Sequence, residues 1–146
     1  MIREYRASDK FDVIELLKLN TPQYFAPEEE QDFSVYLDNR REDYFVVETE
    51  GEVIGAGGIN YTDEGKTAYI SWDVFHPKAQ GKGWGTQLVL YRIGLIKQNP
   101  AIVLIRVRTS QMVYTFYEKC GFELKEVVPD YWAKGFDLYR MEVKIK

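Results

Sequence analysis

The sequence predicts a mixed α/β fold, in which one sheet carries a central parallel strand pair and helices are interspersed with the strands. Three observations lead there. Residues 69–75 are apolar and rich in β-formers, a glycine turn follows at 80–85, and residues 86–97 are apolar on most sides of a helix. Residues 101–105 are then a continuous apolar run, as expected of a central strand buried on both faces, so 69–107 form a β-α-β crossover with parallel strands. Strand and turn signals on either side extend this unit into a single sheet.

Taken in order, residues 2–5 read as an opening strand. Ser8 or Asp9 can cap a helix in which Phe11, Ile14 and Leu17 recur at helical spacing, ending near Asn20. Residues 21–27 hold Pro22 and Pro27 around Tyr24 and Phe25 and must be a loop. A second helix runs from 28 to about 39, where Glu28, Glu29 and Glu30 suit a helix N-terminus. Residues 44–50 and 53–59 form a strand, turn and strand, and a further turn at 63–65 starts the strand that ends at Phe75. Pro100 ends the crossover helix. Ser110 caps a short helix in which Val113, Phe116, Tyr117 and Cys120 share a face and Gly121 is the stop. Two strands close the chain, at about 123–128 and 136–144, with residues 129–135 between them.

The chain length, 146 residues, suits one domain covering 1–146. Composition excludes several function classes. With one cysteine, Cys120, and one histidine, His76, neither a disulfide framework nor a His/Cys metal cluster is expected, so no metal is. A net charge of −4 argues against a nucleic-acid surface, which needs concentrated Lys and Arg. No apolar run approaches a membrane span and the first residues lack a signal-peptide core, so the expected location is cytoplasmic with no membrane partner.

Chemistry concentrates at Gln80-Gly81-Lys82-Gly83-Trp84-Gly85. A strand, a glycine turn and a helix N-terminus aim uncovered backbone N–H groups at one spot, where the helix dipole adds partial positive charge. A phosphate-bearing cofactor is the natural guest. Spacing argues against dinucleotides and nucleoside triphosphates, because the turn reads G-x-G-x-G where the Rossmann turn needs G-x-G-x-x-G, and Lys82 is followed by Gly83 where Walker A needs Ser or Thr. A tight turn before a helix, with no ligand, is the plain alternative.

The turn resembles the Q/R-x-x-G-x-G/A signature of the GNAT (GCN-related N-acetyltransferase) superfamily, carried here by Gln80, Gly83 and Gly85 after His76-Pro77. A second match lies downstream, where 108–122 resembles the family's closing helix ending F-Y-E-K-x-G-F. The resemblance implies a GNAT-like single domain with a mixed, mostly antiparallel sheet, one splayed parallel pair and about four flanking helices. It also implies acetyl-CoA as cosubstrate and a small-molecule or peptide amine as acceptor, and it allows a homodimer.

Carried over residue by residue, the resemblance puts main-chain groups of Asp73, Val74 and Phe75 on the pantetheine arm. Gln80, Gly81, Lys82, Gly83, Trp84, Gly85 and Thr86 fall at the diphosphate, with Gly83 and Gly85 keeping a Cβ away from the phosphate oxygens. Tyr117 matches the tyrosine that protonates the departing thiolate; a phenol with pKa about 10 can serve a thiolate near 8.5. On its own, Tyr117 reads as packing on an apolar stripe with Val113 and Phe116. The amine must lose a proton before it attacks, and Asp73 is the candidate base, because strict alternation sets Tyr69, Ser71, Asp73 and Phe75 on one face. His76 and water are the rivals.

The resemblance puts Tyr24, Phe25, Tyr131 and Trp132 on the acceptor side, where their aromatic rings could hold an alkylammonium or simply close the ends of the core, and Ser71 is a further expected acceptor contact. Two departures stand out: Arg106 occupies the position where protein N-terminal acetyltransferases often carry glutamate, and Gln111 stands where they often have asparagine, leaving it a candidate cofactor contact. The sequence therefore reads as an N-acetyltransferase working by direct attack in a ternary complex, with a non-catalytic acyl-CoA-binding sensor of the same fold as the alternative.

Overall fold

A computed structural model describes residues 1–145. Strand β1 (Ile2–Glu4) leads through a 3-10 turn (Ala7–Asp9) into helix α1 (Lys10–Leu19), and α2 (Glu29–Val35) continues as a π-helical turn over Tyr36–Arg40. Strands β2 (Asp43–Thr49), β3 (Glu52–Thr62) and β4 (Thr67–Phe75) form an antiparallel meander. Helix α3 (Trp84–Lys97) crosses to β5 (Leu104–Thr109), and the short helix α4 (Tyr114–Lys119) precedes the hairpin of β6 (Glu123–Ala133) and β7 (Phe136–Lys144). The seven strands lie in the order β1-β2-β3-β4-β5-β7-β6, and β4 with β5 is the parallel pair. This is the mixed α/β architecture the sequence predicts. Among the described residues no helix is long and apolar enough to cross a membrane.

The sheet separates two cores. On one face, α1 and α2 bury Val13, Leu16, Leu17 and Phe33 against Tyr44, Val46, Ala56 and Val74. On the other, Leu88, Val89 and Ile96 of α3 and Tyr117 of α4 pack on Ile59, Ala68, Ile70, Ile105 and Val107. The apolar run at 101–105 therefore only enters the central strand, which extends to Thr109 with Ile105 and Val107 inward and Arg106 and Arg108 on the opposite face. The final hairpin is longer than the sequence predicts, because β6 runs through Pro129 to Ala133. Proline is tolerated there since β6 is the edge strand.

Two caps differ from expectation. Ser110 offers its carbonyl, not its side chain, to the amides of Val113 (3.1 Å) and Tyr114 (3.0 Å), so α4 begins at Tyr114. At α1, Asp9 turns back: its Oδ2 accepts from the Arg6 amide (2.8 Å), and both oxygens receive the Arg3 guanidinium at 2.9 Å. Those Arg3 hydrogen bonds hold the Asp9 carboxyl below the usual carboxylate range. The depressed folded value means that the stabilisation is present above the unfolded value, about 3.9, and is lost as pH falls through the folded one. Asp9→Asn should flatten the acid limb of stability, read from urea midpoints across the carboxylate range.

Candidate functional site

Strands β4 and β5 pair only from Thr67↔Leu104 to Ile70↔Val107; beyond that both continue without pairing to each other and diverge. The gap opens into a cavity of about 780 Å³ bounded by the ends of both strands, the glycine turn, α4 and the segment joining α1 to α2.

At one end stands the glycine turn. Gly81 and Gly83 have φ of 77° and 87°, the left-handed region that favours glycine. A Cβ at Gly83 would meet nothing within 4 Å, so its backbone angle, and not crowding, demands glycine in the chain itself. At Gly85 the reason is space, since a Cβ there would lie 3.2 Å from the Phe116 ring. The first helical bond runs from the Gln87 amide to the Gly83 carbonyl (3.0 Å). The amides of Trp84, Gly85 and Thr86 are thus the unsatisfied donors of the α3 N-terminus, a site suited to an anionic phosphate.

Gly81, Gly83, Gly85 and Thr86 line the cavity, as does Gln80, whose side-chain amide donates to Asn20 Oδ1 (3.0 Å) and the Phe75 carbonyl (3.3 Å). Asn20 in turn donates to the same Phe75 carbonyl (2.8 Å). Gln80 therefore fastens the end of β4 to α1. Lys82 and Trp84 line a separate recess of about 280 Å³ with Lys78 and His76, and His76 Nδ1 accepts from the Lys78 amide (3.0 Å).

The middle of β4 departs from the alternation expected of it. Pairing with β3 goes from Ala56↔Val74 to Gly58↔Ser71, so Trp72 and Asp73 together oppose Gly57 in a bulge, and Trp72 has φ 49°. The Tyr44 hydroxyl holds it by donating to the Trp72 carbonyl (2.8 Å). Tyr69 and Ser71 keep to the α2 side, but the bulge turns Asp73 and Phe75 to the α3 side and sends Trp72 into the α2 core, stacked on Phe33 at 4.7 Å. The single face assigned to Tyr69, Ser71, Asp73 and Phe75 is thus corrected: the added residue reverses the strand's faces halfway along.

Turned this way, Asp73 meets two partners. Arg92, fully buried on α3, donates Nη1 to Oδ1 (2.6 Å) and Nη2 to Oδ2 (2.9 Å), and the Tyr117 hydroxyl donates to Oδ2 (2.6 Å). Arg92 also donates to the carbonyls of Gly58 (3.0 Å) and Leu88 (3.2 Å). Gly57 makes room for this pair, since a Cβ there would fall 2.3 Å from Asp73 Oδ1 and 2.8 Å from Arg92 Nη1. Burial first, and the Asp73 charge second, push the Tyr117 phenol well above its usual range. The same burial pushes the Cys120 thiol up.

Arg92 is the site residue missed in the sequence. Its signal was present, for it is the one charged residue between Lys82 and Lys97 in an otherwise apolar helix. A charge there needs a buried partner.

Of the expected acceptor residues, Tyr24, Phe25, Ser71 and Trp132 line the cavity. Tyr131 is half-exposed outside it and accepts from Arg108, whose guanidinium also lies over the Tyr131 and Trp132 rings. Gln111 is likewise outside the cavity lining. Its amide bridges the β6–β7 hairpin, donating to the Gly135 carbonyl (2.7 Å) and accepting from the Asp137 amide (2.9 Å), so both ends of a candidate cofactor contact are taken by the fold.

Comparison with known proteins agrees with the fold. Residues 13–122 match the model of the acetyltransferase (GNAT) family. A GNAT-family protein from Desulfovibrio desulfuricans superposes with TM-score 0.85 at 18% identity, over 100% of this chain and 99% of its own. An aminoglycoside 6'-N-acetyltransferase complexed with coenzyme A gives TM-score 0.81 at 16% identity, over 100% and 97%. The ribosomal-protein-S18-alanine N-acetyltransferase from Escherichia coli gives TM-score 0.81 at 15%, over 100% and 94%. None of the curated protein sequences matches the chain. The structures share the fold; the family match spans most of the sequence and covers both the glycine turn and the closing helix, so the chain belongs to the acetyltransferase (GNAT) family.

Proposed function

We propose that the protein transfers the acetyl group of acetyl-CoA directly to a primary amine within a ternary complex. The observation that carries this is the gap between β4 and β5, with the glycine turn and the α3 N-terminus at one end and a buried tyrosine hydroxyl at its wall. A long thioester fits that layout. Its phosphates meet the amides at the α3 N-terminus, its arm lies along the unpaired edge of β4, and its thioester comes to rest near Tyr117. The coenzyme A complex of an aminoglycoside 6'-N-acetyltransferase with this fold supports the same cofactor.

In the reaction the amine nitrogen bonds to the thioester carbon and the carbon–sulfur bond breaks. The proton lost by the nitrogen balances the one gained by sulfur. Tyr117 stays protonated at neutral pH, because burial and Asp73 disfavour the phenolate; its one hydrogen swings from Asp73 Oδ2 to the sulfur as charge develops there, and the proton lost by the amine restores it. Asp73 has both oxygens engaged, so its part is to hold Tyr117 and Arg92 while the amine's proton leaves through water in the cavity. A covalent acyl-enzyme is disfavoured by the raised Cys120 thiol, which has no histidine beside it. Positioning supplies most of the acceleration.

Thermal unfolding with acetyl-CoA, CoA, ATP and NAD tests the cofactor. Ligand at a hundredfold excess over its dissociation constant adds about 2.7 kcal/mol, so acetyl-CoA and CoA should raise the melting temperature while ATP and NAD leave it unchanged. A shift with ATP or NAD alone would remove the acetyltransferase reading.

A further inference from the structure

Two carboxylates line the cavity, Asp73 and Glu29. Asp73 is neutralised by Arg92. Among the described residues Glu29 has no cationic partner: one oxygen, Oε2, accepts from the Ala26 amide (2.8 Å), which fixes the rotamer, and the other has no hydrogen-bond donor. Glu29 is 8% exposed, and the unpartnered oxygen keeps its access at the cavity wall, since among the described residues no buried side-chain oxygen lacks a partner. Its carboxylate sits in negative surroundings, with Glu28 and Asp32 nearby. Beside it the cavity wall is aromatic, where Phe25 stacks on Trp72 (6.4 Å, 13° between planes) and Tyr36 adjoins the same indole at 6.0 Å. A buried carboxylate without a counter-cation, next to aromatic faces, is the combination that receives an ammonium ion.

Glu29 lies on the α2 side of the sheet, whereas Asp73 and Tyr117 lie on the α3 side. Glu29 and Tyr117 therefore face the one cavity from opposite sides of the sheet. We propose that Glu29, with Trp72 and Phe25, forms a cation subsite, and that the acceptor is an amine carrying a second positive charge away from the reacting nitrogen. This rests on the acetyltransferase reading above. The Arg108 end of the cavity gives no comparable site, since that guanidinium is exposed and already stacked on two rings.

The test is calorimetric binding to the CoA-loaded protein of α,ω-diaminoalkanes from propane to hexane, against amino-alcohols of the same lengths. At least one diamine should bind better than its amino-alcohol by about tenfold or more, the contribution of a charge-assisted contact. Glu29→Gln should erase that preference. The glutamine oxygen still accepts from Ala26, so the fold is kept, and coenzyme A should raise the melting temperature of the variant as it does the parent. Glu30→Gln, an exposed neighbour on the same helix, should leave the preference intact. No preference for any diamine, or one that survives Glu29→Gln or falls equally with Glu30→Gln, overturns the subsite. If coenzyme A itself fails to stabilise the parent, it is the acetyltransferase reading that falls.

Discussion

Replacing Arg92 by methionine should destabilise the protein by about 3–5 kcal/mol, the usual penalty for leaving a buried charge without its partner. The guanidinium is wholly buried and gives hydrogen bonds to both oxygens of Asp73 and to the carbonyls of Gly58 and Leu88, so its removal leaves the Asp73 carboxylate with the Tyr117 hydroxyl alone. Methionine fills most of the volume, which leaves charge as the main variable. Urea midpoints of Arg92→Met, Asp73→Asn and the double variant form a cycle that isolates the pair. The double variant should be more stable than the sum of the single losses predicts. Additive losses would mean that the two residues stabilise the fold separately.

Tyr117→Phe should lower kcat by about 10²–10⁴-fold, the range for loss of a positioned proton donor, while acetyl-CoA binds as before. The ring keeps its edge contacts with Phe116 (5.0 Å) and Phe122 (5.9 Å), and Asp73 keeps Arg92, so stability should change by only about 1 kcal/mol. A non-catalytic acyl-CoA sensor of the same fold would show no such dependence. Release of free thiol, followed beside thermal stabilisation by acetyl-CoA, separates the two readings. Equal turnover in parent and variant would take Tyr117 out of the chemistry.

Arg92 and Tyr117 show what one-dimensional reading reaches. Gly83 and Gly85 are legible because a left-handed φ and close packing at a helix N-terminus both demand glycine, and neither demand needs a distant partner to be known. Tyr117 is legible from its neighbours in sequence. The facing of Asp73 is not, because a bulge is the insertion of one residue against a partner strand, and Gly57 is what accommodates it from sixteen positions away in the chain. Nothing in the alternation of residues 69–75 records that. Gln111 misleads for a related reason: an amide before a helix suits a ligand or a hairpin equally, and the decision lies with Gly135 and Asp137. Strand β5 starts later than its apolar run and takes in Arg106 and Arg108. Arg106 is accommodated by Glu142 (2.7 Å) and the Tyr69 hydroxyl (2.7 Å), partners invisible to periodicity.

The two cores on opposite faces of the sheet divide the cavity wall by inheritance. Tyr24, Phe25, Glu29 and Tyr36 come from the segment packed on one core, whereas the glycine turn and Tyr117 belong to elements packed on the other. Substitutions in the first segment can reshape one end of the cavity without repacking what supports the other. Such a molecule can drift in what it accepts while conserving what it consumes. The joint between the halves is small, an Asn20 side chain bonded both to Gln80 and to the last carbonyl of β4, and it is there that divergence in one half would first be felt by the other.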